Sequence, residues 1–173
     1  MKNVVLIGFM GTGKTSVGRL LAARLGCAFH DLDKKIEERH GMSIPAMFAE
    51  YGEPYFRARE KEAVQDAACR SNLVIATGGG TVKDAENAAL LRQNGILVAL
   101  TADADTILTR TAARGARPVL DRADEGDRRA AVVRLLTERR HIYADADITV
   151  DTSGRSPLEV TAYILQAIRI WRK

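Results

Sequence analysis

The chain has 173 residues, the size of one α/β domain and long enough to bury a single sizeable core. No apolar run approaches the length of a membrane span, so a membrane role is not indicated. Net charge is only +4, carried by 19 Arg and 7 Lys, and the nine aromatic residues are not interleaved with any basic run, which argues against a nucleic-acid binder. The arginine bias suits small anionic ligands, since a guanidinium grips phosphate and carboxylate bidentately, or it reflects genome composition alone.

Met1-Lys2-Asn3 runs directly into an apolar strand, residues 3–7, with no secretory h-region, so a cytoplasmic protein is expected. The next segment, Gly8-Phe9-Met10-Gly11-Thr12-Gly13-Lys14-Thr15, fits the phosphate-binding pattern G-x-x-x-x-G-K-[ST] at every fixed position. An amphipathic helix from Ser16 to Leu25 follows, giving the strand, loop and helix that the pattern requires. The glycines let backbone N–H groups turn around an anionic oxygen, and the helix N-terminus adds partial positive charge. Lys14 then serves as a charge for β- and γ-phosphate rather than as a core residue, and the Thr15 hydroxyl is placed to meet Mg²⁺.

A short strand, residues 28–30, ends at Asp31 and leads into a helix over 33–40 stopped by Gly41. Ser43 caps a short helix over 44–51, and another begins near Pro54 and runs through Phe56, Arg57, Glu60 and Val64. Residues 73–76 read as a fully buried strand ending in Thr77-Gly78-Gly79-Gly80. Beyond it come a helix over 84–94 with Asp84 as cap, a strand over 96–100 and a helix over about 103–114. Residues 114–127 are rich in charge, Gly and Pro without apolar period, which predicts a mobile lid carrying Arg114, Arg117 and Arg122 or else a solvated connector. A long helix through Val132, Leu135, Leu136 and Arg139 reaches Tyr143, a last strand covers 148–150, and Ser156-Pro157-Leu158-Glu159 opens the final helix as a capping box. Five strands alternating with helices imply one domain, residues 1–173, built on an open parallel sheet covered on both faces, with ligands outside the carboxyl ends of the strands.

Asp31 and Asp33, spaced i, i+2 at a strand end, point to one side while the backbone stays extended. One can then serve a metal-bound water while the other takes a hydroxyl proton, or Asp33 simply caps the helix behind it. Three consecutive glycines expose several N–H donors to a closely approaching ligand, where a turn needing positive φ would be satisfied by one. Arg57 and Glu60 are i, i+3 helix neighbours, a spacing that orients a guanidinium and is equally an ordinary surface ion pair. Cys27 and Cys69 have no metal-like spacing and read as free buried thiols.

Taken in order, the phosphate loop at 8–15, Asp31-Leu32-Asp33, Phe56-Arg57 with Glu60, Gly78-Gly79-Gly80, Arg117-Pro118 and Arg139 four residues before Tyr143 resemble the shikimate kinase family over essentially the whole chain. The resemblance implies a three-layer α/β/α P-loop kinase fold, strand order 2-3-1-4-5, and transfer of the γ-phosphate of ATP to the 3-hydroxyl of shikimate by a monomeric enzyme of aromatic amino acid biosynthesis. It implies that Asp33 holds the reacting hydroxyl, that Arg57, Arg139 and the glycine loop 78–80, through the Gly79 N–H, hold the shikimate carboxylate and ring hydroxyls, and that the helical segment over about 33–60 is the shikimate-binding part of the domain. Gly11, Thr12, Gly13, Lys14, Thr15 and Ser16 would bind ATP, with Lys14 and Arg117 flanking the γ-phosphoryl group and Arg110 and Arg155 beside adenine. Thr15, with Asp31 through water, would serve Mg²⁺. Val119 after Arg-Pro and the second cation Arg140 depart mildly from the family pattern and leave open which of Arg139 and Arg140 faces the substrate.

Two other readings compete. A gluconate- or nucleotide-type kinase shares the fold, although a nucleoside monophosphate would need aromatic stacking that 31–60 scarcely offers. A P-loop switch ATPase would keep an acid at the end of the third strand, where this chain has Thr77 and glycines.

Overall fold

The computed structural model describes residues 1–112 and 125–171. Five parallel strands, β1 (Asn3–Gly8), β2 (Ala28–Asp31), β3 (Leu73–Ala76), β4 (Gly95–Thr101) and β5 (Ile148–Asp151), form one sheet in the order β2-β3-β1-β4-β5. Every residue of the central strand β1 is buried. Its side chains alternate between two cores, as a pleated strand dictates. Val5 and Ile7 pack with Val64, Leu91, Ile107 and Tyr143, whereas Val4 and Leu6 pack with Val17, Leu21, Val160 and Ile164. The helices α3 (Ile44–Ala68), α4 (Ala85–Gln93), α5 (Ala104–Ala112) and α6 (Glu125–Ala144) thus share one face with β1, and α1 (Lys14–Leu25) and α7 (Pro157–Trp171) cover the other. This is the expected three-layer arrangement in the expected strand order.

Several boundaries follow local chemistry. Ser43 caps α3 through Ala46 N–H at 3.3 Å, and the backbone leaves helical geometry at Gly52 (φ 80°, ψ 173°) just before Pro54, so α3 is the two helices read from the sequence, joined at a kink. The capping box at α7 forms in full, with Ser156 N–H donating to Glu159 Oε2 at 2.7 Å and Glu159 N–H to Ser156 Oγ at 3.3 Å. The helix α2 (Leu32–His40) starts one residue early, because Asp31 rather than Asp33 is its N-cap. The segment 114–127 is shorter at its end than expected. Residues 125–127 already belong to α6, where Asp127 complements the positive end of the helix dipole. Both cysteines are free, but Cys27 is half-buried and Cys69 exposed rather than buried. No described helix is long and apolar enough to cross a membrane.

The strand order decides where the site lies. The carboxyl ends of β2, β3 and β1 are neighbours, so Asp31, the glycines after Ala76 and the phosphate loop after Ile7 open onto one cleft. On the other side, β4 and β5 bring Thr152 and Arg155 to the same loop.

Candidate active site

The phosphate loop is held from within. Gly11 (φ 78°) and Gly13 (φ 94°) adopt left-handed backbone that L side chains avoid, and the loop closes around the Phe9 carbonyl, which accepts from Thr12 Oγ1 at 2.7 Å and Lys14 Nζ at 2.9 Å. Lys14 also donates to Gly8 O at 2.7 Å and is only 9% exposed. The lysine is therefore buried within the loop's internal hydrogen bonding as well as a charge, which corrects its reading as a charge rather than a core residue. Thr12 is turned inward and shapes the loop, while Ser16 faces the neighbouring cleft.

Thr15 Oγ1 donates to Asp31 Oδ2 at 2.8 Å, so the hydroxyl and the carboxylate meet at the loop's mouth. Among the described residues no group of three or more His, Cys, Asp or Glu could cage a cation. One hydroxyl beside one carboxylate fits Mg²⁺, which keeps most of its waters and takes its other ligands from phosphate oxygens.

Asp33 lies in the first turn of α2 with Oδ1 buried and without a hydrogen-bond partner. Burial, then the neighbouring Asp31 and Glu60 carboxylates, push its pKa up to about 6 against a smaller pull from Lys14. A buried acceptor left open is costly unless something fills it, and a hydroxyl donor from a ligand would do so. The two aspartates do not act as an extended pair. The chain turns helical at Leu32, giving Asp31 the cap and sending Asp33 into the cleft beside Gly78.

The triple glycine is explained by room. None of the three has positive φ. A Cβ at Gly78 would stand 2.8 Å from Asp33 Oδ1 and 3.1 Å from Glu60 Oε1, one at Gly79 would stand 3.7 Å from Arg139 Nη1, and one at Gly80 would stand 3.1 Å from Arg57 Nη2. Gly78 and Gly80 thus leave room for Asp33 and Arg57, whereas a Cβ at Gly79 would meet Arg139 only at ordinary contact distance. The Gly79 carbonyl accepts from Arg139 Nη1 at 2.9 Å and from the Tyr143 hydroxyl at 3.3 Å, so this loop orients the arginine as well as offering its N–H. Arg57 forms its pair with Glu60 at 2.7 Å and a second with Glu53 at 3.0 Å. The first is no ordinary surface bridge, because Glu60 is 2% exposed and also accepts from Thr81 Oγ1 at 2.6 Å. Burial works against the Arg57 charge, but the two carboxylates outweigh it and hold the guanidinium protonated.

Arg139 is buried and Arg140 exposed, which decides between them: Arg139 faces the cleft, its guanidinium 4.9 Å above the Phe9 ring. On the opposite side of the loop a cleft of about 260 Å³ is lined by Gly11, Gly13, Ser16, Arg110, Thr152 and Arg155. Arg110 donates to Gly11 O at 3.2 Å, Thr152 Oγ1 at 2.9 Å and Thr152 O at 2.8 Å, and exposed Arg155 lies over the Tyr163 ring. Arg114, Arg117 and Arg122 lie outside the described residues. Sequence reasoning missed Thr81, Thr152 and the Phe9 ring. No local pattern marks the first two, while Phe9 stands at a variable position of the loop motif and gave no signal.

A model of the shikimate kinase family matches residues 10–169. This chain belongs to the shikimate kinase family. The shikimate kinase of Geobacter metallireducens is 47% identical over 164 residues, spanning 95% of this chain and 90% of that protein. That of Persephonella marina is 40% identical over 169 residues, spanning 98% and 100%. Among solved structures, shikimate kinase from Acinetobacter baumannii in complex with shikimate superposes with a TM-score of 0.91 at 38% identity, covering 97% of this chain and 93% of that one.

Proposed function

We propose that this chain transfers the γ-phosphoryl group of ATP to the 3-hydroxyl of shikimate, giving shikimate 3-phosphate and ADP, a step toward chorismate. The observation that carries this reading is the open, buried Asp33 Oδ1 set between a complete phosphate loop and two arginines, Arg57 and Arg139. Asp33 takes the proton of the attacking hydroxyl, and a pKa near 6 leaves it ionised yet basic enough at neutral pH. Arg57 and Arg139 hold the shikimate carboxylate and ring hydroxyls, with Gly78, Gly79 and Gly80 as the floor between them. Lys14 and Arg117 bear on the γ-phosphoryl group, and Gly11, Thr12, Gly13, Thr15 and Ser16 line the phosphates. Arg110 and Arg155 flank the adenine. Thr15, with Asp31 through water, would hold Mg²⁺, which when bound with ATP would neutralise charge on the phosphate oxygens. The segment about 33–60 acts as the acceptor-binding part, in a monomer working in the cytoplasm; the lid expected over about 114–127 lies, up to residue 124, outside the described residues. Measuring ADP release against shikimate, quinate, gluconate and nucleoside monophosphates tests the reading, which requires shikimate to stand far above the rest.

Two further expectations belong to the acceptor side. Gly78→Ala forces a methyl to within 2.8 Å of Asp33 Oδ1, so Asp33 must shift. Turnover should fall on the order of ten- to a hundredfold with ATP affinity kept, because sub-ångström placement of the base governs the step. An unchanged kcat would mean that Asp33 is not the base. Arg57→Lys keeps charge but loses the fork, so KM for shikimate should rise on the order of tenfold with a smaller change in kcat. Shikimate methyl ester should be a poor substrate for wild type and lose little more in the variant. Equal proportional losses for acid and ester would move the carboxylate away from Arg57.

A further inference from the structure

Phe9 touches both halves of the site. Its carbonyl receives Lys14 Nζ at 2.9 Å and Thr12 Oγ1 at 2.7 Å, on the phosphate side, while its ring lies under the Arg139 guanidinium, on the acceptor side. The ring is 1% exposed and Arg139 is 9% exposed, so both are held by packing. Among the described residues no carboxylate pairs with Arg139, and its charge rests on the ring face and on the Gly79 carbonyl. A largely desolvated cation without a carboxylate partner among the described residues needs such support, and the negative face of an aromatic ring supplies it where an aliphatic side chain of the same bulk would not.

We propose that Phe9 is the positioning residue for Arg139 and couples nucleotide binding to acceptor binding. The inference rests on Arg139 holding the acceptor. Phosphate oxygens compete with Phe9 O and Gly8 O for the Lys14 ammonium, so nucleotide binding changes the pull on the Phe9 peptide. The buried ring cannot rotate away from its backbone, and Arg139 moves with it. Whatever factor nucleotide applies to acceptor affinity, the acceptor applies in return.

Titration calorimetry of the full chain with shikimate, alone and with saturating MgADP, tests this. In wild type MgADP should change shikimate affinity. Phe9→Leu should weaken shikimate on the order of three- to thirtyfold, the range of a partly to fully desolvated cation–π contact, and bring the MgADP factor toward one. MgADP affinity without shikimate should stay within about twofold. In an Arg139→Ala background Phe9→Leu should add less than about twofold. Replacement of Phe9 by 3,4,5-trifluorophenylalanine keeps the shape and depletes the ring face, so it should show the same trend if Leu compromises folding. Unchanged shikimate affinity in a folded Phe9 variant overturns the positioning role. Equal losses with and without MgADP, or a wild type indifferent to MgADP, overturn the coupling. A wild type that binds no shikimate at all overturns the proposed function instead.

Discussion

Lys14→Met should reduce kcat/KM for phosphoryl transfer by on the order of 10³ or more, the largest loss expected of any single replacement here. In the proposed reaction the ammonium meets the negative charge that develops on the transferring group, and Lys14 is the described cation hydrogen-bonded to both Gly8 O and Phe9 O of the phosphate loop. Retention of more than about a tenth of the wild-type rate, a loss of only ~1.4 kcal/mol, would put that role elsewhere. Stability should change as well. Methionine leaves the Gly8 and Phe9 carbonyls without the lysine bonds, each worth about 1 kcal/mol, so the melting temperature without nucleotide should drop by a few degrees. Rescue of that melt by MgADP should also be smaller than in wild type, because the lost charge belongs to the proposed nucleotide site.

Asp33→Asn should lower kcat by on the order of 10²–10⁴ while MgATP still binds, since the amide keeps the size of the side chain and removes both charge and proton acceptor. The wild-type rate should fall as pH drops through about 6, where Asp33 takes up its proton. The same variant should be more stable than wild type at pH 8. The carboxyl has its folded pKa raised, so the folded state binds the extra proton and the ionised group costs stability, a cost absent below about pH 4 and complete above about pH 6. Removing the charge should gain on the order of 1–3 kcal/mol at pH 8, and the gain should shrink as pH falls from 6 toward 4. A variant that is inactive yet no more stable at high pH would place Asp33 in a more solvated setting. A variant retaining near-normal turnover would remove it from the reaction.

What the sequence by itself determined is what short-range chemistry specifies. The phosphate loop, the caps at Ser43, Asp84 and Ser156, and the alternation of strand and helix depend on hydrogen bonds spanning a few residues, so their signals are contiguous and legible. The Arg57–Glu60 pair belongs to the same class, and the strand order followed from likeness to a family rather than from any residue pattern. Tertiary structure alone decided the rest. Val132, Arg139 and Arg140 are spaced i, i+7 and i+8, and a helix stripe is wide enough to hold both arginines. Only the rotation of α6 against Gly79, sixty residues away, turns Arg139 inward. Glu60 became a buried anchor because Thr81 comes to it from beyond β3, and Asp33 acquired its open acceptor because packing, not spacing, excluded water from one oxygen. The glycines make the same point: read along the chain they offer backbone donors, but in space Gly78 and Gly80 are the gaps that Asp33 and Arg57 occupy, and close packing across distant segments leaves no trace in local sequence.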